Sequence, residues 1–460
     1  MLQKALVEDL IHAALSTGGD FAEVFVEDRF NSNLSYVGGK MKSIISGKDF
    51  GIGIRILKGL QSVYAYTNEF EREPLLGVAL EAAQAITGEP STLTLDLTKE
   101  AYQSKHPILQ YPQDIAKKDK VDKLRLAYDH AKQYDERISQ VSVRYIDDDQ
   151  QVLIANSDGK FIEDRRVHTR LSIQAVASEG TDMQTGSYAP GAAKGFEFFN
   201  DLDLHHYGTE AARIAVTMLD AKECPSGTFP VIIDNEFGGV LFHEACGHSL
   251  ESSSVSKNIS VFSGKLGERV APEIVTYIDD GTLTNEWGSA NIDDEGEQTR
   301  RNVLIENGIL TGYLIDKLGG RRMGMASTGS ARRESYKFAP TSRMTNTFIA
   351  PGKSTHDEII ANTEYGIYAK YMGGGSVNPS TGDYNFAVNE GYIVRNGKIA
   401  EPVRGATLIG NGLKTLQKVD MVGNNLTHGQ GMCGASSGSI PANVGQPMVR
   451  VSEITVGGRG

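Results

Sequence analysis

The segment FGGVLFHEACGHSLE, residues 237–251, sets the tightest condition on the fold. It places two imidazoles and a carboxylate, His243, Glu244 and His248, inside an otherwise apolar stretch. A neutral imidazole is a good zinc ligand, and a glutamate beside one can take the proton of a metal-bound water, as in helical H-E-x-x-H metalloproteases. The spacing here is H-E-x-x-x-H. On a regular helix of about 3.6 residues per turn, positions i and i+5 point roughly 140° apart, so His243 and His248 would not share a face. Either the helix carries a one-residue π-bulge, or it ends at Gly247 and His248 swings back from an irregular turn. The ordinary reading makes His243 a satisfied core histidine and His248 a C-terminal helix residue favoured by the dipole. Two histidines bracketing a glutamate, after a strand-like run at 229–233 and the pair Gly238-Gly239, favour the metal.

Open catalytic zinc sites usually have three protein ligands and one water, so the segment is one ligand short. Glu251 and Cys246 lie close by in sequence. Cys246 adjoins Ala245 and Gly247 on an apolar stretch and reads as a small buried thiol, which a helix cannot readily aim at the same ion as both histidines. Cys433 lies 185 residues beyond His248, in Gly431-Met432-Cys433-Gly434, where the glycines let the backbone bend and approach closely. A core cysteine in a Gly-rich loop is the ordinary reading of that residue.

Around this segment the pattern is α+β. Helical spacing over 2–15 is followed by short strands at 21–27, 34–37, 41–45, 51–57 and 62–66, then by a helix over 71–86. A loop-like stretch with several prolines runs over 88–111. A charged helix over 114–134 precedes strands at 138–145, 151–156 and 170–177, and a helix over 203–219 that includes His205-His206. That doublet reads as a surface helix start. The expectation is a two-part N-terminal α/β region, antiparallel sheet with helices, and a mostly β C-terminal domain bearing the H-E-x-x-x-H helix. The boundaries fall at 1–105, 106–225 and 226–460. Glycine, at 51 of 460 residues, points to many turns in the C-terminal half.

A net charge of −12, with no dense run of Lys or Arg, makes nucleic acid an unlikely partner. Three scattered cysteines cannot form a disulfide framework and fit a reducing cytoplasm. Glu8 and Asp9 interrupt what would be the core of a signal peptide, and no run of 18 apolar residues occurs, so no membrane span is expected. Asp279-Asp280-Gly281 and Asp293-Asp294-Glu295-Gly296 lack calcium-loop spacing and read as turns. Gly373-Gly374-Gly375 lacks the P-loop pattern and reads as a loop near substrate or a tight turn. Arg332-Arg333-Glu334-Ser335-Tyr336 and Arg343-Met344-Thr345-Asn346 are polar clusters that fit either an internal network or contacts to a peptide.

The order of GGVLFHEACGHSLE (238–251), VFSGKLGE (261–268), NVLIENGIL (302–310), RRESY (332–336), RMTNTF (343–348), GATLIG (405–410), MCG (432–434) and VGQP (444–447) resembles the TldD/PmbA family, on its TldD side. The resemblance implies a cytoplasmic zinc (Zn2+) peptidase acting on small or unfolded peptides. It implies His243, His248 and Cys433 as metal ligands and Glu244 as general base toward a zinc-bound water. It also implies a dimer, with a PmbA/TldE-like partner or a second copy. The alternative is a non-catalytic regulatory or binding subunit, since PmbA-type members lack the metal motif. The family has also carried a label as a DNA gyrase modulator, and the acidic charge balance gives no support to direct DNA binding.

Overall fold

The computed structural model describes residues 1–89, 94–378 and 380–458. Within the loop expected over 88–111, residues 90–93 lie outside the described residues. The architecture is α+β, with an antiparallel sheet and helices at the N-terminal end and a β-rich C-terminal region.

The N-terminal sheet is built on long strands. Phe21–Val37 lies between Lys40–Lys58 and Ile138–Asn156, and the latter pairs in turn with Lys160–Glu179. Because Phe21–Val37 pairs with Ile138–Asn156 from Glu23↔Asn156 to Val37↔Ser142, strands from both sides of residue 106 share one sheet.

Helices cover one face of it. Val7, Leu10, Ile11 and Ala14 of Lys4–Leu15 fall on one stripe and join Leu75 and Ala79 of Arg72–Ala83 over Val24, Val26, Ile52 and Ile54. Lys117–Lys132 and Leu204–Leu219 cover the other half, packing Leu124, Ala127, Ala211 and Ala215 onto Val143, Tyr145 and Leu171. The second of these begins where Asp203 accepts a hydrogen bond from His206 N at 3.0 Å, so the His205-His206 doublet is a capped helix start.

Side chains alternate along a strand, so Phe25, Ile154 and Ile162 face the other way, where they meet Ile292 and Tyr336 of the C-terminal region. Both faces are therefore buried near residue 25, which explains the unbroken apolar run at 24–26.

The short strands expected from the sequence merge in the structure. Phe21–Val37 runs straight through Asp28-Arg29, and Ile138–Asn156 through Asp147-Asp148-Asp149. These polar stretches break the alternation, yet each acid of the 147–149 run has a partner. Lys120 Nζ lies 2.5 Å from Asp147, Arg29 Nη2 2.5 Å from Asp148, and Arg165 Nη2 2.6 Å from Asp149.

The C-terminal region holds two larger sheets and a two-stranded one, Ala331–Arg332 with Thr341–Ser342. One has eight strands, among them Gly227–Ile233, Tyr365–Val377, Asp383–Arg395 and Val449–Gly457. The other has six, in the order Ile309–Leu310, Arg301–Glu306, Tyr277–Asp280, Asn346–Ile349, Gly438–Gln446, Thr427–Ala435. One large apolar core joins residues of both, and the segment 240–250 runs through it. The Gly373-Gly374-Gly375 run expected as a loop lies inside the strand Tyr365–Val377, whose register shifts there.

A buried ionic cluster ties the N-terminal sheet to the C-terminal region. Arg55 is 2% exposed and lies 2.9 Å from Glu23 and 2.7 Å from Glu295. Arg333 reaches the other oxygen of Glu23 at 2.5 Å and the Asp294 carbonyl at 2.7 Å. Removing one member of such a cluster leaves its partners charged and dry, which costs about 3–5 kcal/mol. Arg55→Met is expected to lower the unfolding free energy by that order, read as a lower midpoint of denaturant unfolding followed by circular dichroism. A wild-type midpoint would show that the cluster does not hold the two regions together.

Candidate metal centre

The strand Gly227–Ile233 delivers the chain to the site. It is held by Tyr365–Val377 on one side and Val449–Gly457 on the other. The chain then turns at Glu236, with φ 55°, and enters a helical segment of changing pitch. A 3-10 turn at Glu236–Gly239 leads into an α turn at Val240–Phe242, a π turn at His243–Gly247 and a 3-10 turn at His248–Leu250. Of the two local solutions to the H-E-x-x-x-H spacing, the structure takes the π turn. The wider turn absorbs the extra residue and brings His243 and His248 onto one side.

Packing holds this uneven helix. Leu241, Phe242, Ala245, Cys246 and Leu250 are buried in the core. A Cβ on Gly239 would come within 2.6 Å of Gly445 N, and one on Gly247 within 2.2 Å of Met344 Sδ. Glycine at these positions lets the segment lie directly on its neighbours.

His243 and His248 stand at 84° to each other with ring centroids 5.4 Å apart. Each presents its Nε2 3.3 Å from Cys433 Sγ, and the three donor atoms lie within 4.8 Å of one another. Cys433 comes from the edge strand Thr427–Ala435. In a tetrahedral zinc site, bond lengths near 2.0 and 2.3 Å put nitrogen and sulfur about 3.5 Å apart. The two nitrogen–sulfur spacings and the donor chemistry of the His/His/Cys set therefore fit a zinc-sized ion.

The other ring nitrogens are occupied. His243 Nδ1 is 2.8 Å from Thr347 Oγ1, and His248 Nδ1 is 3.2 Å from Glu251 Oε1. Such partners fix ring orientation and leave Nε2 available to a metal ion. Glu251, weighed from sequence as a ligand, thus stands behind His248. Thr347 went unnoticed, although it lies in the quoted RMTNTF stretch.

Arg343 holds the Cys433 turn. It is fully buried and donates to the Cys433 carbonyl, to Ser437 Oγ at 2.9 Å and to Gly438 O at 2.9 Å. Thr345 donates through N and Oγ1 to Asp279, and Asn346 Nδ2 donates to Ser289 Oγ. Residues 343–346 thus form an internal network. Asp293 likewise accepts from the backbone of Glu295 and Glu297, in a turn.

The three cysteines are chemically distinct. Burial pushes the Cys246 thiol up to about 12 and the Cys224 thiol, helped by Glu223, up to about 11. Burial acts the same way on Cys433, but His243 and His248 outweigh it and hold the thiol well below its usual range. Burial would lower His248, yet Glu251 and Cys433 together raise it well above its usual value. Among the three, only Cys433 is favoured as a thiolate, the form that binds metal.

Glu244 stands beside the donors, its Oε2 3.6 Å from His248 Nε2. It shares a pocket of about 190 Å³ with His243, Cys433, Phe237, Gly374 and Met432.

Three family models cover most of the chain. They are described as PmbA/TldA metallopeptidase domain 1, central domain and C-terminal domain, and match residues 22–86, 110–219 and 226–458. A metalloprotease TldD homolog of Buchnera aphidicola subsp. Acyrthosiphon pisum is 36% identical over 448 residues, covering 95% of this chain and 93% of the relative. A metalloprotease TldD homolog of Haemophilus influenzae is 38% identical, over 89% and 87% of the two chains. The crystal structure of TldE from Thermococcus kodakarensis shares the fold at 19% identity, with a TM-score of 0.77 over 98% of this chain and 99% of that one. By domain matches along its length and by identity to these relatives, the chain belongs to the PmbA/TldD family of metallopeptidases.

Proposed function

We propose that the chain is a zinc-dependent peptidase in which His243, His248 and Cys433 hold the ion and Glu244 is the general base. The observation that carries this reading is the convergence of two Nε2 atoms and one thiol beside a carboxylate in a pocket. A bound zinc ion supplies a Lewis acid that polarises the scissile carbonyl and lowers the pKa of the attacking water. Glu244 accepts that water's proton and returns it to the leaving amine. Thr347 and Glu251 keep the two rings aimed while this happens. A thiolate donor makes the water less acidic than three neutral histidines would, which increases the demand on Glu244.

The substrates are small or unfolded peptides. The compartment is the cytoplasm, where Cys433 and its two fellow cysteines, none in a disulfide, stay reduced. No helix among the described residues is long and apolar enough to cross a membrane. The working unit is a dimer, with a PmbA/TldE-type partner or a second copy, and it encloses the ion so that folded proteins cannot reach it. The TldE structure has the fold that such a partner would bring.

Glu244→Gln is expected to keep its zinc and to cut a peptide that the wild type cuts about 10²–10⁴-fold more slowly; near-normal cleavage removes the glutamate from the mechanism. Cys433→Ser should lose most of its zinc by atomic spectroscopy while Cys246→Ser keeps it, and full occupancy in the Cys433 variant refutes the ligand set. Light scattering should show a dimer, alone or with a PmbA-type chain from the same genome. Monomers under both conditions would contradict the assembly.

A further inference from the structure

A second cavity, of about 340 Å³, lies between the N-terminal sheet and the C-terminal region. That volume suits a small ligand or a few atoms of a larger one. It adjoins the metal pocket, because Met432 lines both, and Met432 precedes Cys433. The strand carrying Cys433 forms the partition. Arg170 Nη2 donates to Gln430 O and Trp287 Nε1 to Gly431 O, each at 2.7 Å, from the cavity side.

Charges on the cavity wall fall into two groups. The acids are engaged: Asp147 by Lys120, Asp148 by Arg29, and Asp294 by Arg166 at 2.6 Å. Asp293 accepts from backbone amides, and Glu334 accepts from Ser439 N at 2.7 Å. Arg333 is taken by Glu23.

Two cations are left over. Arg332 donates to Met344 O at 2.7 Å, and Arg170 to the carbonyls of Ala189 and Gln430, with no ion pair for either among the described residues. A guanidinium has five N–H donors, so both retain unused ones, and a desolvated cation without a counterion is costly. Burial pulls Arg332 down to about 10; Asp294 and Asp279 act against it without forming an ion pair, and Arg343 and Arg166 act with it. His168, on the same strand face as Arg170, is kept neutral: burial, then Arg332 and Arg29, lower it to about 3, and its Nε2 has no partner among the described residues. Trp287, Ile440 and Pro441 add apolar wall.

We propose that this cavity is a carboxylate-binding subsite for the peptide, in which the carboxylate gives Arg332 and Arg170 the ion-pair partner they lack. The carboxylate is the peptide's α-carboxylate or an acidic side chain. His168 offers a neutral polar contact to the adjoining amide, and the chain crosses Met432 to reach the ion. The assignment rests on the peptidase reading for its meaning, but the binding itself does not need turnover. It gives the metal centre a substrate class: peptides that carry a negative charge close to the bond being cut.

Trp287 is the chain's one tryptophan and lies within the cavity, 5.2 Å from the His168 ring and 5.3 Å from Arg170 Cζ. Its fluorescence therefore reports occupancy. Titrating the full-length chain, stripped of metal so that nothing is cut, with N-acetyl-trialanine as free acid and as amide should show at least tenfold tighter binding of the acid. Arg332→Met and Arg170→Met should each shrink that ratio below threefold without weakening the amide, whereas Arg332→Lys, which keeps the charge, should retain part of it. A third probe, the amide of N-acetyl-Ala-Asp-Ala, separates the sources: binding like the acid assigns the site to acidic side chains, and binding like the plain amide assigns it to the α-carboxylate. Equal binding of acid and amide by the wild type, or an unchanged ratio in a folded Arg332→Met, overturns the proposal. Acid-selective binding by a chain that cuts no peptide would discard the peptidase reading alone.

Discussion

One residue too many between His243 and His248 is the condition around which the centre is built. A regular helix would send the two rings to different sides, and here a five-residue π turn lets both approach one sulfur. That turn is not a local preference of the chain. It survives because Leu241, Phe242, Cys246 and Leu250 are fixed in a core shared by two sheets, and because Gly239 and Gly247 let the backbone touch Gly445 and Met344. The helix is thus shaped by its surroundings. Both sheets of the C-terminal region contribute: one delivers the segment, and the other supplies Thr347 and Cys433.

The centre was legible to the depth that chemistry shows in the alphabet. Histidine, glutamate and cysteine announce themselves, and the spacing problem left two remedies, of which the structure takes one. What stayed hidden was which groups stand behind the three donors. Thr347 and Arg343 carry no spacing signal, since their role depends on a sheet register that brings residue 347 beside residue 243 and a turn at 433–438 over residue 343. Glu251 was visible as a neighbour of His248, but only geometry separates an acid that would touch the ion from one that faces Nδ1.

For the fold, helices with a clear stripe, such as Lys4–Leu15, were legible to within a residue or two, and the strands were legible only in pieces. Period-two alternation fails wherever both faces of a sheet are covered, or where a strand crosses a polar cavity. Asp147-Asp148-Asp149 looked like an interruption because its partners, Lys120, Arg29 and Arg165, come from other elements. A single chain read in order gives no hint that they will meet. The same holds for Gly373-Gly374-Gly375, part of a strand whose register shift lies beside the pocket of His243, Glu244 and Cys433.

Those paired acids also shape how the sequence can drift. In an apolar strand one aliphatic residue replaces another with little consequence, so positions wander independently. Along Ile138–Asn156, loss of Asp147 takes the ion-pair partner of Lys120 and loss of Asp148 leaves Arg29 only the longer contact to Glu27, and either loss is penalised until the partner changes too. Such positions move in pairs across distant parts of the chain. Among relatives, the strands that looked least like strands should carry the strongest record of who touches whom.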